Sequence, residues 1–559
     1  MKRPHLTAVN HYNVYPFNHG GSLGIRGLYK GLSEWFDVSI VTFVTQDMYP
    51  EETYISKHIK VIPIVLSEKL IEMQYELYDK YGMSDDTFVD SSPAVIRWYH
   101  KFPEIVERIR EIAEDSIVVL AEHVFTWNLI KTACPKKHLW YRSNNVEYDY
   151  KRTTYDAIGC PQDLLDEVFD VEKECCTECE RILAVSQLEV DRFMELYGFP
   201  KSYRKKFMDI HSGYDTDNLQ AVLPVNREKA FSQYAFSGIF IASDTPNSRR
   251  AADHCVELAR ACPKIMIVLM GSIRNAYKNV QLPDNILLTG IATDEEKIYY
   301  LQRCDFALNL LEGGAGINVK MFEYFAYGIP VITTAYGARG IEINAGEDCI
   351  VTTPEIFVED IKDFCALPIA ERNRIAKNAL TLLHEKYSWR NIGHRIACEI
   401  ERLYNVPINE SALPLEEIAL YEFKTGKPYI PQKPFYIRCA GDFGVGCRNL
   451  LKQYGRSPVA FVDEFHCGED IDGVPILSPS DYFKEQNGEE VIVANNKHWV
   501  DIAAELMAHG ILPENIAVSW RGHYVFALFS GIGNYPPYAA PEKYKEKVLK
   551  RYDYYKGTV

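Results

Sequence analysis

Short apolar runs alternate with longer amphipathic stretches over most of the chain. An apolar run bounded by glycine, proline or polar residues predicts a buried strand, and a stretch with a period of about 3.6 residues predicts a helix. In the first part of the chain this pattern predicts strands at 6–10, 38–44, 59–65, 117–122, 138–142 and 182–186, with helices between them such as 103–113 and 163–181. Strands that alternate with helices favour a parallel sheet with right-handed crossovers.

The same alternation restarts near residue 216. It predicts strands at 234–237, 265–270, 286–289, 305–311, 331–334 and 350–352, and helices at 249–261, 295–302 and 319–327. The predicted fold is therefore α/β, with two doubly wound Rossmann-like domains and a smaller C-terminal Rossmann-like α/β domain. The expected boundaries are 1–215, 216–385, a crossover helix at 386–405, a linker at 406–434, the third domain at 435–520 and an aromatic and basic tail at 521–559.

Composition narrows the class of protein. The chain has 559 residues, of which 47% are hydrophobic and 25% charged, with a formal charge of −16. This acidic balance argues against nucleic acid as a partner, because nucleic-acid binding needs a basic surface. The sequence contains neither an apolar run of about 18 residues nor a signal-peptide core. Its 14 cysteines follow no disulfide pattern, so a reducing cytoplasm is expected.

The most informative stretch is 309–342, NLLEGGAGINVKMFEYFAYGIPVITTAYGARGIE. Glycines after an apolar run predict a loop that a ligand can approach closely, and a short helix follows at about 318–327. A glycine loop beside a helix N-terminus favours an anion. Lys320 and Glu323 lie in the first turns of that helix, where a lysine neutralises phosphate and a carboxylate accepts hydrogen bonds from two ribose hydroxyls. The alternative is a solvated surface ion pair.

This stretch resembles the nucleotide-sugar-binding half of retaining GT-B glycosyltransferases of family 4. That family has a Glu, seven residues, a second Glu and then Ala-x-Gly-x-Pro-Val. Glu323 takes the second position in EYFAYGIPVITT, whereas Ala315 stands where the first acid is expected. GAGINVK, residues 314–320, is similar to a Gly-Ser-Gly-x-x-x-Lys variant of the pattern. The resemblance covers roughly residues 1–405.

The resemblance implies sugar transfer with retention, no metal and no other cofactor. It implies a UDP or GDP sugar as donor, and a glycan, lipid-linked or protein acceptor. Lys320, Glu323 and His123 are the expected catalytic residues. The leaving diphosphate would be stabilised by Lys320, by Arg249 and by helix N-termini at 314–316 and 337–340. The expected donor-binding residues are Gly20, Gly21, Gly238, Arg249, Gly271, Gly290, Gly314, Ala315, Gly316, Glu323, Gly337, Ala338, Arg339 and Gly340.

Polar residues that directly follow first-domain strands are candidates for the acceptor side, because ligands bind beyond the carboxyl ends of parallel strands. Glu122 and His123 follow one predicted strand, and SNNVEY, residues 143–148, follows the next. The second stretch resembles a His-Asn-x-Glu segment of the family, which implies Asn145 and Glu147 on the acceptor side. The alternatives are a structural histidine at 123 and a turn-forming asparagine at 145.

Two further patterns favour structural interpretations over metal sites. Asp215-Thr216-Asp217 resembles a metal-binding DxD, but it lies where the family has the loop that joins its two domains. Cys175, Cys176 and Cys179 fall within one predicted helix, and no second pair has zinc spacing. Buried thiols and a hinge loop are therefore expected.

The third domain carries GxxGxG between a predicted strand and helix, formed by Gly441, Gly444 and Gly446, with Asp463 after the next strand. This pattern suggests close approach of a ligand. Residues 435–520 resemble the nucleotide-sugar-binding domain that precedes sugar acetyltransferases, so the domain either binds a ligand or stabilises a homo-oligomer. The tail is expected either to touch an anionic membrane or to fold back as an amphipathic helix.

The sequence therefore predicts a glycosyltransferase of glycan or polysaccharide biosynthesis. Two alternatives remain open at this level. One is a non-catalytic nucleotide-sugar scaffold or sensor, since one family acid is missing. The other is a GT-B epimerase that acts on the nucleotide sugar alone.

Overall fold

The structure, a computed structural model, describes residues 3–15, 20–44, 51–81, 92–155, 159, 161–217, 219–278, 280–313, 317–408, 413, 415–418, 427–495, 498–520, 524–533 and 541–556. The chain divides into two compact units. The larger extends to Tyr421, and the smaller is formed chiefly by the residues after it.

The first lobe of the larger unit is built on an eight-stranded sheet. Its strands are β1 (His5–Asn10), β2 (Asp37–Val44), β3 (Thr53–Ser56), β4 (Ile59–Val65), β5 (Ser116–Glu122), β6 (His138–Arg142), β7 (Arg181–Ala184) and β8 (Phe207–Asp209). Its helices are α1 (Gly20–Leu32), α2 (Glu68–Tyr81), α3 (Ser92–Trp98), α4 (Pro103–Ile112), α5 (Trp127–Ala133), α6 (Glu147–Tyr155), α7 (Gln162–Glu178) and α8 (Gln187–Leu196). The strand order is β3-β4-β2-β1-β5-β6-β7-β8, parallel except for β3.

The second lobe is built on a six-stranded sheet in which every pair of neighbours is parallel. Its strands are β9 (Phe236–Ile241), β10 (Ile265–Met270), β11 (Ile286–Gly290), β12 (Phe306–Asn309), β13 (Val331–Thr334) and β14 (Ile350–Thr352). Its helices are α9 (Pro246–Ala261), α10 (Asp294–Arg303), α11 (Lys320–Ala326), α12 (Phe357–Ala366) and α13 (Ile369–Lys386), followed by α14 (Trp389–Tyr404) and α15 (Leu415–Ile418). The order β11-β10-β9-β12-β13-β14 is that of a Rossmann sheet.

Both faces of the first sheet are buried, as parallel sheets covered by helices require. Successive side chains of a strand point to opposite faces, and β1 shows the result. Leu6 and Ala8 pack into one core cluster, whereas Val9 packs into the other. The apolar runs therefore reflect burial on two sides.

The crossover helix α14 follows the second lobe but packs against the first. Trp389, at its start, joins the core beneath α1. A Cβ at Gly27 would lie 2.0 Å from Nε1 of Trp389, and a Cβ at Gly31 would lie 2.0 Å from its carbonyl oxygen. Only glycine permits this approach, so the spacing of two glycines on α1 determines how α14 attaches.

The smaller unit contains a third sheet. Its strands are β15 (Phe435–Arg438), β16 (Ala460–Val462), β17 (Asp470–Ile471), β18 (Val474–Leu477), β19 (Glu490–Val493), β20 (Ile516–Trp520), β21 (Tyr524–Ala527) and β22 (Ile532–Gly533). Its helices are α16 (Asp442–Lys452), α17 (Pro479–Glu485), α18 (Trp499–Ala508) and α19 (Pro541–Tyr555). The parallel strands run β18-β16-β15-β19-β20, and β17, β21 and β22 pair antiparallel at the edges.

The tail forms the folded-back helix that was one of the two expectations. Tyr544 and Val548 of α19 are buried in the core of the smaller unit, and the ring of Tyr544 lies edge-on to Trp499. Among the described residues, no helix is long and apolar enough to cross a membrane.

One predicted strand is displaced. The strand expected at 234–237 is observed as β9, Phe236–Ile241, so Gly238 lies inside the strand and does not end it. The side chain of Phe306 occupies the space beside Gly238, where a Cβ would lie 2.5 Å from Cε2. Gly238 therefore serves strand packing.

Replacing Gly31 by alanine is expected to destabilise the larger unit by about 1–3 kcal/mol, because the new methyl group collides with the backbone of α14. Thermal unfolding of the full chain measures this loss. Gly24→Ala, on the same helix, is the matched control, since a Cβ there lies 3.4 Å from Arg142 and alanine favours helices. Equal unfolding temperatures for both variants would contradict the packing role of Gly31.

Candidate functional site

The second lobe has its topological switch point between β9 and β12, the neighbouring strands from which the chain continues in opposite directions. Ligands bind beyond the carboxyl ends of such strands. β9 ends at Ile241 and β12 at Asn309. The buried Asn309 amide donates to the carbonyl of Gly337 at 2.9 Å and accepts from Asn318 at 2.9 Å. This network ties the loop after β12 to the turn after β13.

Lys320 reaches this switch point from the first turn of α11. Its ammonium donates to the carbonyl of Ile241 at 2.7 Å and lies over the ring of Phe240. Burial lowers the pKa of Lys320 to about 8, although the charge of Glu323 acts in the opposite direction. Among the described residues no carboxylate forms an ion pair with Lys320. A partly desolvated cation without a paired anion is suited to bind an anionic ligand.

Glu323 is one turn further along α11, and its partner is not Lys320. Oε1 of Glu323 lies 2.8 Å from Nζ of Lys297, on α10. Both side chains are partly buried, with relative exposures of 21% for Glu323 and 32% for Lys297. The alternative interpretation, a surface ion pair between Lys320 and Glu323, is therefore wrong. Lys297 was missed because no sequence pattern links it to α11.

The structure describes the turn after β13 but not the three central residues of the glycine loop. Gly314, Ala315 and Gly316 lie outside the described residues. Residues 335–340 form turns, so the helix N-terminus expected at 337–340 is wrong; the next helix starts at Phe357. The amide of Gly337 donates to Oγ1 of Thr334 at 2.9 Å. A Cβ at Gly337 would lie 2.4 Å from the Asn309 carbonyl, so this turn packs against β12.

The other donor-side candidates of this lobe lie at or after the carboxyl ends of strands in the same sheet. Gly271 and Gly290 have φ of 104° and 71°, values that favour glycine, and the amide of Gly271 donates to the carbonyl of Gly290 at 2.7 Å. Arg249 is exposed and bonds Asp244 with two nitrogens, at 2.6 and 3.1 Å. Its charge is therefore already balanced within the protein. Ala338 is buried, the guanidinium of Arg339 stacks on Tyr336, and Gly340 has a φ of 77°.

The first lobe has the same topology, with its switch point between β1 and β5. His123 directly follows β5 with a φ of 90°, an unusual backbone for histidine of the kind that concentrates at functional sites. Its Nδ1 lies 3.0 Å from Oε1 of Glu147, and its Nε2 lies 3.0 Å from the amide nitrogen of Asn144. The network assigns the proton to Nδ1, so Nε2 accepts from Asn144. His11, after β1, packs edge-on against this ring.

Glu147 and the residues after β6 are positioned by a buried carboxylate that sequence reasoning missed. Glu172 of α7 accepts from the backbone amides of Glu147 and Tyr148 at 2.9 and 3.1 Å. It also accepts from the hydroxyls of Tyr141 and Tyr197 at 3.1 and 2.6 Å. Burial raises the pKa of Glu172 to about 7, although the bond from Tyr197 acts in the opposite direction. Glu172 therefore anchors the start of α6, where Glu147 lies.

Glu122 does not face an acceptor. It is fully buried, and Oε2 accepts from Arg142 at 2.7 Å while Oε1 accepts from the hydroxyl of Tyr29. Its expected place on the acceptor side is corrected to an internal ion pair. Asn145 is half-buried, and its carbonyl accepts from the hydroxyl of Ser143 at 2.7 Å.

The remaining first-lobe candidates are on α1, on or directly after α7, and in the segment 215–217. α1 begins at Gly20, and Gly21, the next residue, is exposed. The ammonium of Lys30, near the end of α1, lies 2.8 Å from Asp215 and 2.7 Å from Asp217. Both acids are therefore paired with a cation of the protein, and the hinge at 215–217 stays a prediction. Cys175, Cys176 and Cys179 are buried and free.

Within the described residues, one group has metal-ligand geometry. The ligand atoms of Asp209, His211 and Glu342 lie within 4.8 Å of one another. Glu342 also pairs with the ammonium of Lys386 at 2.7 Å. A cation of the protein therefore already lies at this carboxylate.

In the smaller unit, the predicted GxxGxG starts α16. A Cβ at Gly444 would lie 2.1 Å from the carbonyl of Cys439, so this glycine allows close packing of helix and strand, while Gly441 faces open space and Gly446 is half-buried. Asp463 is buried, and its two oxygens accept from the amides of Ala440 and Phe465 at 2.9 Å. Asp463 therefore connects the loop after β16 to the loop after β15 through backbone amides.

Comparison with known proteins adds to this geometry. A family model described as glycosyl transferase-like matches residues 249–397. An uncharacterized 44.6 kDa protein in the cps region of Klebsiella pneumoniae is 24% identical over 139 residues, 23% of this chain; the match spans only 35% of that relative. The apo structure of OtsA superposes with a TM-score of 0.50 at 12% identity, covering 72% of this chain and 100% of OtsA. Anabaena HepE in complex with UDP and glucose gives 0.47 at 15% identity, with 72% and 100% covered.

The fold is thus GT-B-like, as expected from the sequence, and its second lobe contains a glycosyl transferase-like segment. That segment includes β10 to β14 and both Lys320 and Glu323. The similarity of the smaller unit to acetyltransferase-associated domains stays a resemblance.

Replacing Glu172 by glutamine is expected to destabilise the protein by about 2 kcal/mol, because one amide group cannot accept from four donors and leaves buried donors unsatisfied. Chemical denaturation measures the loss. Glu174→Gln is the control on the same helix, since Glu174 forms only an exposed pair with Lys131. A Glu172→Gln protein as stable as the control would show that Glu172 does not anchor α6.

Proposed function

We propose that the chain transfers a sugar from a nucleotide diphosphosugar to an acceptor hydroxyl. The observation that carries the proposal is the pair Lys320 and Glu323, one turn apart on α11 at a Rossmann switch point, inside the segment matched as glycosyl transferase-like. A cation and an anion at this spacing match the two charged recognition features of a nucleoside diphosphate. The phosphates need positive charge, and the ribose diol needs an acceptor.

Each of these side chains has a specific role in binding the donor or the acceptor. Lys320 leaves the Ile241 carbonyl, or shares its ammonium with it, to bind the diphosphate. Glu323 keeps Oε1 on Lys297 and offers Oε2 to the ribose. Gly271 and Gly290 border the place of the base, since glycines there allow main-chain contact. His123 and Asn145 belong to the acceptor side, with Glu147 orienting His123.

The proposed reaction retains the configuration of the anomeric carbon. The bond between the anomeric carbon and the diphosphate oxygen breaks, and a bond from the acceptor oxygen forms on the same face. The proton of the acceptor hydroxyl passes to a diphosphate oxygen, so no protein base is needed and the configuration is retained. Lys320 stabilises the negative charge that develops on the leaving diphosphate, the electrostatic contribution that is usually largest in such sites. In this proposal Lys320 supplies the charge that a metal ion would otherwise bring.

The first test combines binding and turnover. UDP and GDP sugars are screened by thermal shift, since a specific ligand stabilises the folded chain, and transfer is then assayed with the donor that binds. Glu323→Ala is expected to weaken nucleotide binding by about tenfold or more, because a hydrogen bond to a charged group is lost. Lys320→Ala is expected to lower kcat by about 100-fold or more.

The control is Glu359→Ala, which removes an exposed carboxylate of α12 paired with Lys362. Full transfer activity in both Glu323→Ala and Lys320→Ala would overturn the site. Binding without turnover would favour the scaffold, and product formed without an acceptor would favour the epimerase. An inverted product would overturn the retaining step and point to His123 as a base.

Protonation of Lys320 gives a second, independent test. In the protein without ligand, burial lowers the pKa of Lys320 to about 8. A bound diphosphate would raise that pKa, because its negative charge favours the charged ammonium. Binding of the nucleotide diphosphosugar, whose esterified diphosphate does not titrate in this range, is therefore expected to take up protons near pH 8 and almost none near pH 6.5, where Lys320 is already charged. Calorimetry in buffers of different ionisation enthalpy measures this uptake. An unchanged uptake in Lys320→Met would contradict the assignment.

A further inference from the structure

The residue that holds Glu323 lies outside the stretch 309–342, on the preceding helix α10. Nζ of Lys297 lies 2.8 Å from Oε1 of Glu323 and 3.9 Å from the exposed Asp294 on its own helix. Burial lowers the pKa of Lys297, but the attraction of Glu323 more than offsets burial and holds that pKa above its ordinary value. The closer and better shielded partner is therefore Glu323.

The charge of Glu323 also acts on two tyrosines. Burial and then the charge of Glu323 raise the pKa of Tyr214, in the segment that links the lobes. The same two causes raise the pKa of Tyr327, at the end of α11. The charge of Glu323 therefore acts on Lys297, Lys320 and both tyrosines. The Lys297 ammonium is the one at hydrogen-bond distance.

An ion pair on one carboxylate oxygen fixes the orientation of a glutamate that must accept hydrogen bonds from two hydroxyls. A free glutamate samples several rotamers, and fixing it costs side-chain entropy when a ligand binds. With Oε1 held by Lys297, the rotamer is set before the ligand arrives. Oε2 is then presented in one direction, and neighbouring lone pairs of both oxygens remain to accept from a vicinal diol.

We propose that Lys297 is a positioning residue for ribose recognition, which makes the second lobe discriminate between ribose and deoxyribose nucleotides by holding Glu323 in place. The inference rests on the proposed function, since it names the residue through which Glu323 selects its ligand. Lys297 itself touches no reacting atom. Its role differs from that of a surface ion pair, which contributes little to stability and does not change ligand choice.

The experiment measures dissociation constants of the full chain for UDP, 2′-deoxy-UDP, GDP and 2′-deoxy-GDP by calorimetry. The unmodified chain is expected to bind the ribose form of its preferred nucleotide about tenfold or more tightly than the deoxy form, since one hydrogen bond to a charged group is lost. Lys297→Met is expected to bring this ratio within about threefold of unity, because a mobile carboxylate gains less from each hydroxyl. Lys297→Arg, which keeps the charge, is expected to restore most of the ratio.

Matched variants separate the possible results. Arg303→Met removes another cation of α10, which pairs with Glu228 away from Glu323, and is expected to keep the ratio of the unmodified chain. Circular dichroism establishes that Lys297→Met is folded, and Lys297→Gln serves as a second uncharged variant if it is not. A structural role alone would lower stability without changing the ratio.

Three outcomes overturn the inference in distinguishable ways. A ratio that persists in Lys297→Met and Lys297→Gln but disappears in Glu323→Gln overturns the role of Lys297 and leaves the proposed function standing. A ratio that persists in Glu323→Gln overturns the ribose assignment of Glu323 as well. Failure of the unmodified chain to bind any of the four nucleotides overturns both the proposed function and the inference.

Discussion

The arrangement of the candidate site depends on one constraint of doubly wound parallel sheets. The sheet grows outward from two central neighbouring strands, first on one side and then on the other. The loops that follow these two strands therefore run in opposite directions and leave a crevice between them. In the second lobe this constraint brings Ile241 and Asn309 together, and in the first lobe it brings Asn10 and Glu122 together. Residues that directly follow these strands reach the same crevice although they are distant in sequence.

Different kinds of interaction fill the two crevices. In the second lobe, the Lys320 ammonium bonds a backbone carbonyl and has no paired carboxylate within the part of the chain that the structure describes, so this end of the sheet offers positive charge. In the first lobe, His123 is already bonded on both ring nitrogens, to Glu147 and Asn144. The first lobe therefore presents an oriented polar surface and the second presents charge. This division suits a charged donor on one side and a neutral hydroxyl on the other.

Packing between helices joins the lobes within the larger unit. Trp389 lies against Gly27 and Gly31 of α1, so α14 belongs to the second lobe in sequence and to the first in its core. A parallel example is Lys30, which bonds both acids of the segment 215–217. The sequence pattern alone could not show that these two acids share the ammonium of a residue about 185 positions earlier in the chain.

The sequence by itself determined the α/β class, the repeated alternation and several strands to the residue, such as Ile265–Met270 and Val331–Thr334, because burial on both faces of a parallel strand leaves a continuous apolar run. It also singled out Lys320 and Glu323 from their helical spacing. Tertiary structure alone decided that Gly238 lies within β9, that Glu122 is internal and that Lys297 holds Glu323. Those outcomes depend on which helix packs beside which, and the partners of a buried charge are chosen across the fold rather than along the chain.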